Sequence, residues 1–185
     1  LTGTFRADGS SKFQGDNKWG YFPSGAIAWD LAQEGFMKDQ ELFQQLKLRA
    51  SFGITGNQAI DPYATLGMLE TKQYGWGTPT KYTGYWSNSY SSAHLRWEKT
   101  YQSNIGLDVA MLDNKLNFTV EYFKKQSKDL LFQKQLPGFM GAGRTNEGHG
   151  GYVWVNKGQI DNSGVEFAVT AYPLDNTSPV QWETS

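Results

Sequence analysis

The chain has 185 residues, with 17 Lys and Arg against 18 Asp and Glu, and the resulting net charge of −1 gives no electrostatic ground for binding nucleic acid. It has no cysteine, which excludes disulfides and thiolate metal sites, and no apolar run near the roughly 20 residues of a membrane-spanning helix. Aromatics make up 15% of it, 7 Trp, 10 Tyr and 11 Phe beside 21 Gly, a mixture suited to a β-rich protein with glycine-laden loops. Membrane-spanning strands stay open, because they carry their apolar residues in alternation. Both ends read as cut from a longer chain: Leu1-Thr2-Gly3-Thr4-Phe5 is strand-like at once, and Val180 to Ser185 follows a turn.

Thr2 to Ala7 reads as a short strand, followed by a loop of turn formers, Asp8-Gly9-Ser10-Ser11 and Gly15-Asp16-Asn17. A second strand runs from about Tyr21 to Leu31 with Ile27, Trp29 and Leu31 on one face, and Pro23 sits near its start, where a missing N–H does least harm. Ala32 to Gln45 breaks the alternation, and Asp39 is placed to cap a short helix carrying Leu42, Phe43 and Leu46. The third strand is the plainest: Leu46, Leu48, Ala50, Phe52 and Ile54 alternate with Lys47, Arg49, Ser51 and Gly53. Asp61 to about Ala93 then reads as one long aromatic loop, of a length that is usually functional or mobile.

The fourth and fifth strands, Leu95 to Met111 and Lys115 to about Phe132, form a hairpin, and both exceed the roughly 9 to 11 residues that cross a bilayer. Asp113-Asn114 supplies residue types that tolerate a positive φ in a two-residue turn. That turn sets Met111 opposite Leu116, Val109 opposite Phe118, Leu107 opposite Val120 and Ile105 opposite Tyr122. A slip of one residue would set Phe118 against Asp108 or Ala110, so the pattern fixes the register. Leu136 to Ile160 is a second long loop, rich in glycine. A sixth strand carries Val165, Phe167, Val169 and Ala171 on one face, and Pro173 to Pro179 turns into a truncated seventh.

If these strands run up and down in order, the long connections Asp8 to Gly20, Gly56 to His94 and Leu136 to about Gln159 share one end. The opposite end holds Ala32 to Gln45, the Asp113-Asn114 turn and the Pro173 to Pro179 turn. That asymmetry belongs to outer-membrane barrels, with long loops outside and short periplasmic turns. The fold class expected is all-β, an antiparallel up-and-down meander of about seven strands taken from a larger transmembrane barrel. The alternative is a soluble all-β carbohydrate-binding module, which would bury Leu48, Phe52, Leu107 and Phe118 between two sheets.

Candidate contact residues for a ligand or partner are Tyr74, Trp76, Tyr82, Tyr85, Trp86 and Tyr90 in the first long loop, since aromatic faces stack on sugars or pack on a partner. The plainer reading is a loop packed on itself. Trp19, Tyr21, Phe22, Trp97, Tyr101, Tyr122, Phe123 and Phe132 lie near the long-loop ends of their strands and suit a membrane-interface girdle, against the general preference of aromatics for strands. Lys47, Arg49, Asp108 and Glu121 point into the lumen if the apolar stripes meet lipid. His94 and His149 have no partners at metal or catalytic spacing, and Asp8, Asp16 and Asn17 miss that of a calcium loop. Neither an enzyme nor a cofactor is expected.

Several blocks, in joint order and spacing, resemble the SusC/RagA-like branch of TonB-dependent outer-membrane transporters of Bacteroidetes. They are Arg6 to Phe13 with Trp19 to Ser24, Leu46 to Gln58, Leu95 to Thr100 leading to Asn104 to Asp108, Tyr122 to Lys125 with Asp129-Leu130-Leu131, and Asn162 to Glu166. The resemblance reaches across nearly the whole chain. It implies that residues 1–185 are a C-terminal part, about seven strands, of the barrel domain of a 22-stranded transporter, with no plug domain among them. It also implies uptake of an oligosaccharide or peptide across the bacterial outer membrane. The implied partners are a SusD-like surface lipoprotein at the mouth, the TonB complex acting through the missing plug, and outer-membrane lipid. On that reading Asp113-Asn114 is a periplasmic turn.

Overall fold

A computed structural model of the chain describes residues 1–37, 42–77, 79–140 and 151–172. In chain order the strands are β1 (Thr2–Gly9), β2 (Trp19–Asp30), β3 (Phe43–Asn57), β4 (Leu69–Gly75), β5 (Lys81–Ser87) and β6 (Ser89–Tyr90). They continue as β7 (Glu98–Met111), β8 (Leu116–Lys128), β9 (Leu131–Gln135), β10 (Tyr152–Asn156) and β11 (Gln159–Ala171). The long strands form one six-stranded sheet in the order β1-β2-β3-β7-β8-β11, every neighbouring pair antiparallel. The short strands are insertions into its connections: a hairpin of β4 and β5, and a three-stranded sheet β6-β10-β9 in which β10 runs parallel to β6. Among the described residues the outermost strands, β1 and β11, are each paired on one side only, so the sheet is an open arc.

Period-two alternation gives the arc two unlike faces. Register aligns Ile27, Ala50, Ile105, Tyr122 and Val165 in one row across five strands, and Trp29, Leu48, Leu107, Val120 and Phe167 in the next. Among the described residues no second sheet covers this face. Leu48 stays 41% exposed, Phe52 47% and Phe167 69%, while Leu107 and Phe118 are only partly buried. That overturns the module alternative, in which these side chains are core. Along β7 the stretch from Tyr101 to Met111 advances about 34 Å at roughly 3.4 Å per residue, or about 26 Å along the normal at a tilt of about 40°, close to the roughly 25 Å apolar band of a membrane barrel.

The β7–β8 hairpin has the register expected of it, Met111 against Leu116 through Ile105 against Tyr122. Lys115 N donates to Leu112 O at 3.1 Å, and Asp113 and Asn114 both lie at positive φ, 59° and 63°, as a type I′ turn requires.

Other expectations are corrected. Among the described residues after β2 there are two 3₁₀ turns, Leu31–Gln33 and Gly35–Met37, and Phe43 and Leu46, expected on a short helix, belong to β3. Asp39 lies outside the described residues, as do His149, the Pro173 to Pro179 turn and the seventh strand. The supposed loop from Asp61 to Ala93 contains β4, β5 and β6. The fifth strand stops at Lys128, because Asp129 takes a positive φ of 56° and turns Leu131 into a different sheet. The second long loop carries β10, and the sixth strand starts at Gln159.

At the long-connection end the insertions and strand ends enclose an aromatic core. Phe13, Phe22, Ile60, Ala64, Leu95 and Trp97 are buried together, with Ile54, Leu131 and Trp154 packed against them. Ring centroids of Phe13 and Trp97 lie 5.4 Å apart and those of Phe22 and Trp97 5.5 Å, the latter edge-on.

Candidate functional site: the inward face and the rim

The face opposite the apolar one is polar, and Arg49 gathers two of its carboxylates, Asp108 and Glu121. Arg49 stands opposite Gly106, which stands opposite Glu121, so the three form one row over β3, β7 and β8. Glycine in the middle leaves the guanidinium room to cross. Its Nε donates to Asp108 Oδ2 at 2.9 Å and its Nη2 to Asp108 Oδ1 at 3.2 Å, while Nη1 reaches Glu121 Oε2 at 2.7 Å. Thr119 Oγ1 donates to Asp108 Oδ1 at 3.2 Å. Lys47 lies in register with both Asp30 and Asp108, so all four charges expected on the lumen side share this face. Two carboxylates on one fork-shaped cation make a fixed, partly hydrated charge pattern on this face.

A second network ties the rim together. Arg96 Nη2 donates to Asp129 Oδ1 at 2.7 Å, and this hydrogen bond holds the guanidinium proton more firmly than usual, raising the Arg96 pKa. Asn156 Nδ2 donates to both Arg96 O and Asp129 O at 2.8 Å, and Asn156 Oδ1 accepts from Arg96 N at 2.8 Å. Glu98 Oε2 accepts from Leu131 N at 3.1 Å, capping the chain where it leaves β8 for β9. The blocks at Leu95 to Thr100 and Asp129 to Leu131 are therefore parts of one junction. Asn156 lay in no recognised block, and nothing in its local sequence marks it.

The six loop aromatics do not converge on one pocket. Tyr74, Tyr82 and Trp86 share a face of the β4–β5 hairpin, Tyr85 points from the other, and Trp76 stands 80% exposed beyond the end of β4. The Tyr74 ring covers Gly84, where a Cβ would overlap it, and Lys72 Nζ sits 4.7 Å over the Trp86 ring. Tyr90, in β6, donates its hydroxyl to Met140 O.

The girdle candidates divide by face. Trp19, Tyr21, Tyr101 and Tyr122 fall on the apolar face. Phe22 and Trp97 are instead 2% and 5% exposed in the rim core, and Phe123 lies on the opposite face across Gly164, so these three are corrected to packing residues. Phe132 is exposed on β9, outside the main sheet.

An antiparallel meander with an apolar band along one face, a charged opposite face and its insertions gathered at one end is a piece of the wall of a membrane-spanning β-barrel. The chain belongs to the family described as TonB dependent receptor-like, beta-barrel, which matches residues 1–185, and its place is the bacterial outer membrane. It is 36% identical over 185 residues to TonB-dependent receptor P3 of Formosa agariphila, and 35% identical over 193 residues to TonB-dependent receptor SusC of Bacteroides thetaiotaomicron. Each alignment covers 100% of this chain and 18% of the relative, so the chain spans about a fifth of the length of those receptors. Among solved structures, the RagAB peptide importer in its closed-closed state superimposes with a TM-score of 0.77 at 24% identity, over 95% of this chain and 18% of that one. The siderophore receptor PirA of Pseudomonas aeruginosa shares the fold at a TM-score of 0.55, over 97% of this chain and 29% of its own.

Proposed function

We propose that these residues form part of the wall and outer rim of a TonB-dependent importer that carries an oligosaccharide or peptide across the outer membrane. The observation that carries this reading is the two-faced sheet, lipid-ready outside and lined inside by Arg49, Asp108 and Glu121, in a chain of this receptor family. The wall is passive in the energetic sense. Coupling to the TonB complex passes through a plug domain lying elsewhere in the protein, and a SusD-like lipoprotein closes the mouth beside the long connections. Relatives named as receptors, and a structural neighbour named as a peptide importer, support transport rather than catalysis.

Within that reading Tyr74, Trp76, Tyr82, Tyr85, Trp86 and Tyr90 contact the substrate or the lipoprotein, and Trp19, Tyr21, Tyr101 and Tyr122 form the interface girdle. Uptake of labelled oligosaccharides and peptides by cells bearing the full-length protein, with and without a protonophore, tests the function. Accumulation that disappears with the protonophore is expected, and accumulation indifferent to it would overturn an energised importer. Trp76→Ala with Trp86→Ala tests the loop, where unchanged uptake and unchanged lipoprotein affinity would remove both contact roles.

A further inference from the structure

The outward face holds one feature that transport does not use. Of all outward strand positions in the six-stranded sheet, among the described residues, the only cations are Lys99, Lys124 and Lys128, and the only acid is Asp161. All four sit on the adjacent strands β7, β8 and β11 at the long-connection end. Successive outward rows show how they stack. Ile105, Tyr122 and Val165 close the apolar band; Ser103, Lys124 and Ser163 follow; then Tyr101, Gln126 and Asp161; then Lys99, Lys128 and Gln159. At the other end of the same strands the outward positions are Met111, Leu116 and Ala171, all uncharged. In a chain of net charge −1, this one-sided cluster is not a consequence of composition.

Lys99 and Lys128 are directly opposed, an arrangement that costs stability unless an anion sits between them. None of the three lysines forms a salt bridge among the described residues. Asp161 is the one acid beside them and its charge acts on Lys124 and Lys128, yet a single carboxylate, held by Gln126 Nε2 at 2.5 Å and Gln159 Nε2 at 2.6 Å, cannot balance three ammonium groups. The Lys128 ammonium stands 5.6 Å over the Tyr101 ring, two rows beyond the apolar band, where a long lysine can carry its charge to headgroup depth.

We propose that Lys99, Lys124 and Lys128 form a binding site for a phosphate-bearing lipid headgroup of the outer leaflet, clamped on the outside of the barrel wall. Acyl chains of such a lipid lie along Ile105, Tyr122 and Val165 while its phosphate meets the ammonium groups above. The proposal rests on the outer-membrane setting of the barrel and not on the transport reading, so it stands or falls separately from uptake.

The test uses the full-length protein in detergent and diphosphoryl lipid A as probe, with binding read by native mass spectrometry and titration. The K99Q/K124Q/K128Q variant is expected to bind roughly tenfold to a hundredfold more weakly. Lys125→Gln, on the neighbouring position facing the lumen, is expected to leave binding unchanged. Heat-modifiable gel mobility confirms the folded barrel in each variant, and K99Q alone, with a smaller loss, serves if the triple variant does not fold. Equal binding by wild type and a folded lysine variant, or equal binding of fully dephosphorylated lipid by wild type, would overturn the proposal. So would complete displacement of the lipid by millimolar inorganic phosphate, which would make the site one for free phosphate.

Discussion

The guanidinium of Arg49 lies against Gly106, so close that a Cβ on Gly106 would stand 3.1 Å from its central carbon. The glycine is a gap through which a cation on β3 reaches a carboxylate on β8, with β7 between them. Gly106→Val closes the gap and is expected to separate Arg49 from Glu121. With all three charged side chains partly exposed, a double-mutant cycle of Arg49→Met and Glu121→Gln should report a coupling of about 1 kcal/mol or less by chemical unfolding in detergent. The Gly106→Val background should reduce that coupling to near zero. A coupling unaffected by Gly106→Val would show that the crossing is not what the pair depends on.

Two further glycines act on a ring. Phe22 is fully buried at the rim, and a Cβ on either Gly20 or Gly56 would overlap its ring. Gly56→Ala is therefore expected to cost about 1–3 kcal/mol through overpacking. The cost should largely vanish when Phe22→Ala has already emptied the space, although that change alone costs about 3–5 kcal/mol. Unfolding midpoints of the two single variants and the double variant decide it. Simple additivity would place the Gly56 requirement elsewhere.

What the sequence made legible follows from which contacts are local. The β7–β8 register could be read because each arm has one apolar face and the turn residues accept positive φ, so only one pairing satisfies both. The lumen side of Arg49, Asp108 and Glu121 followed from the same alternation. The inserted strands were not legible, because β4 and β5 are exposed along most of their length and carry no apolar alternation to reveal a pairing. Phe22 and Trp97 were misread for a related reason. An aromatic near a strand end has the same local sequence whether it faces lipid or folds under a loop, and Phe13, Ile60 and Leu95, which bury these two, come from three separate connections that only the fold brings together. The roles of Gly20, Gly56 and Gly106 exist only across strands.

Leu112 offers a test of the turn. It takes a φ of 57° just before Asp113 and Asn114, a region that a side chain with a γ-branched carbon adopts at a cost of roughly 1–2 kcal/mol. Glycine removes that cost but loses more entropy on folding. Leu112→Gly is thus expected to stabilise the barrel by about 0.5–1 kcal/mol, most visibly as slower unfolding of the β7–β8 hairpin. Leu112→Ala, which keeps the Cβ, should not reproduce the gain. A destabilised glycine variant would mean that the exposed Leu112 side chain contributes more than its backbone costs.

Asn156 is the side chain on which the rim junction turns. Its amide bonds both Arg96 O and Asp129 O and accepts from Arg96 N, joining the approach to β7, the exit from β8 and the end of β10. Asn156→Ala removes three bonds, of which two are exposed and replaceable by water, so a loss of about 1–2 kcal/mol is expected. Arg96→Met removes an exposed ion pair and should cost less, about 0.5 kcal/mol. The difference should be regional as well as numerical. Hydrogen exchange is expected to quicken in β9 and β10 of the Asn156 variant and to stay unchanged in β3, β7 and β8 below the rim, whose ladders do not depend on this amide. Because β10 also pairs with β6, the loosening should extend to Ser89 and Tyr90 and so to the base of the β4–β5 hairpin. Equal quickening across the main sheet would make Asn156 a determinant of the whole wall rather than of its loops.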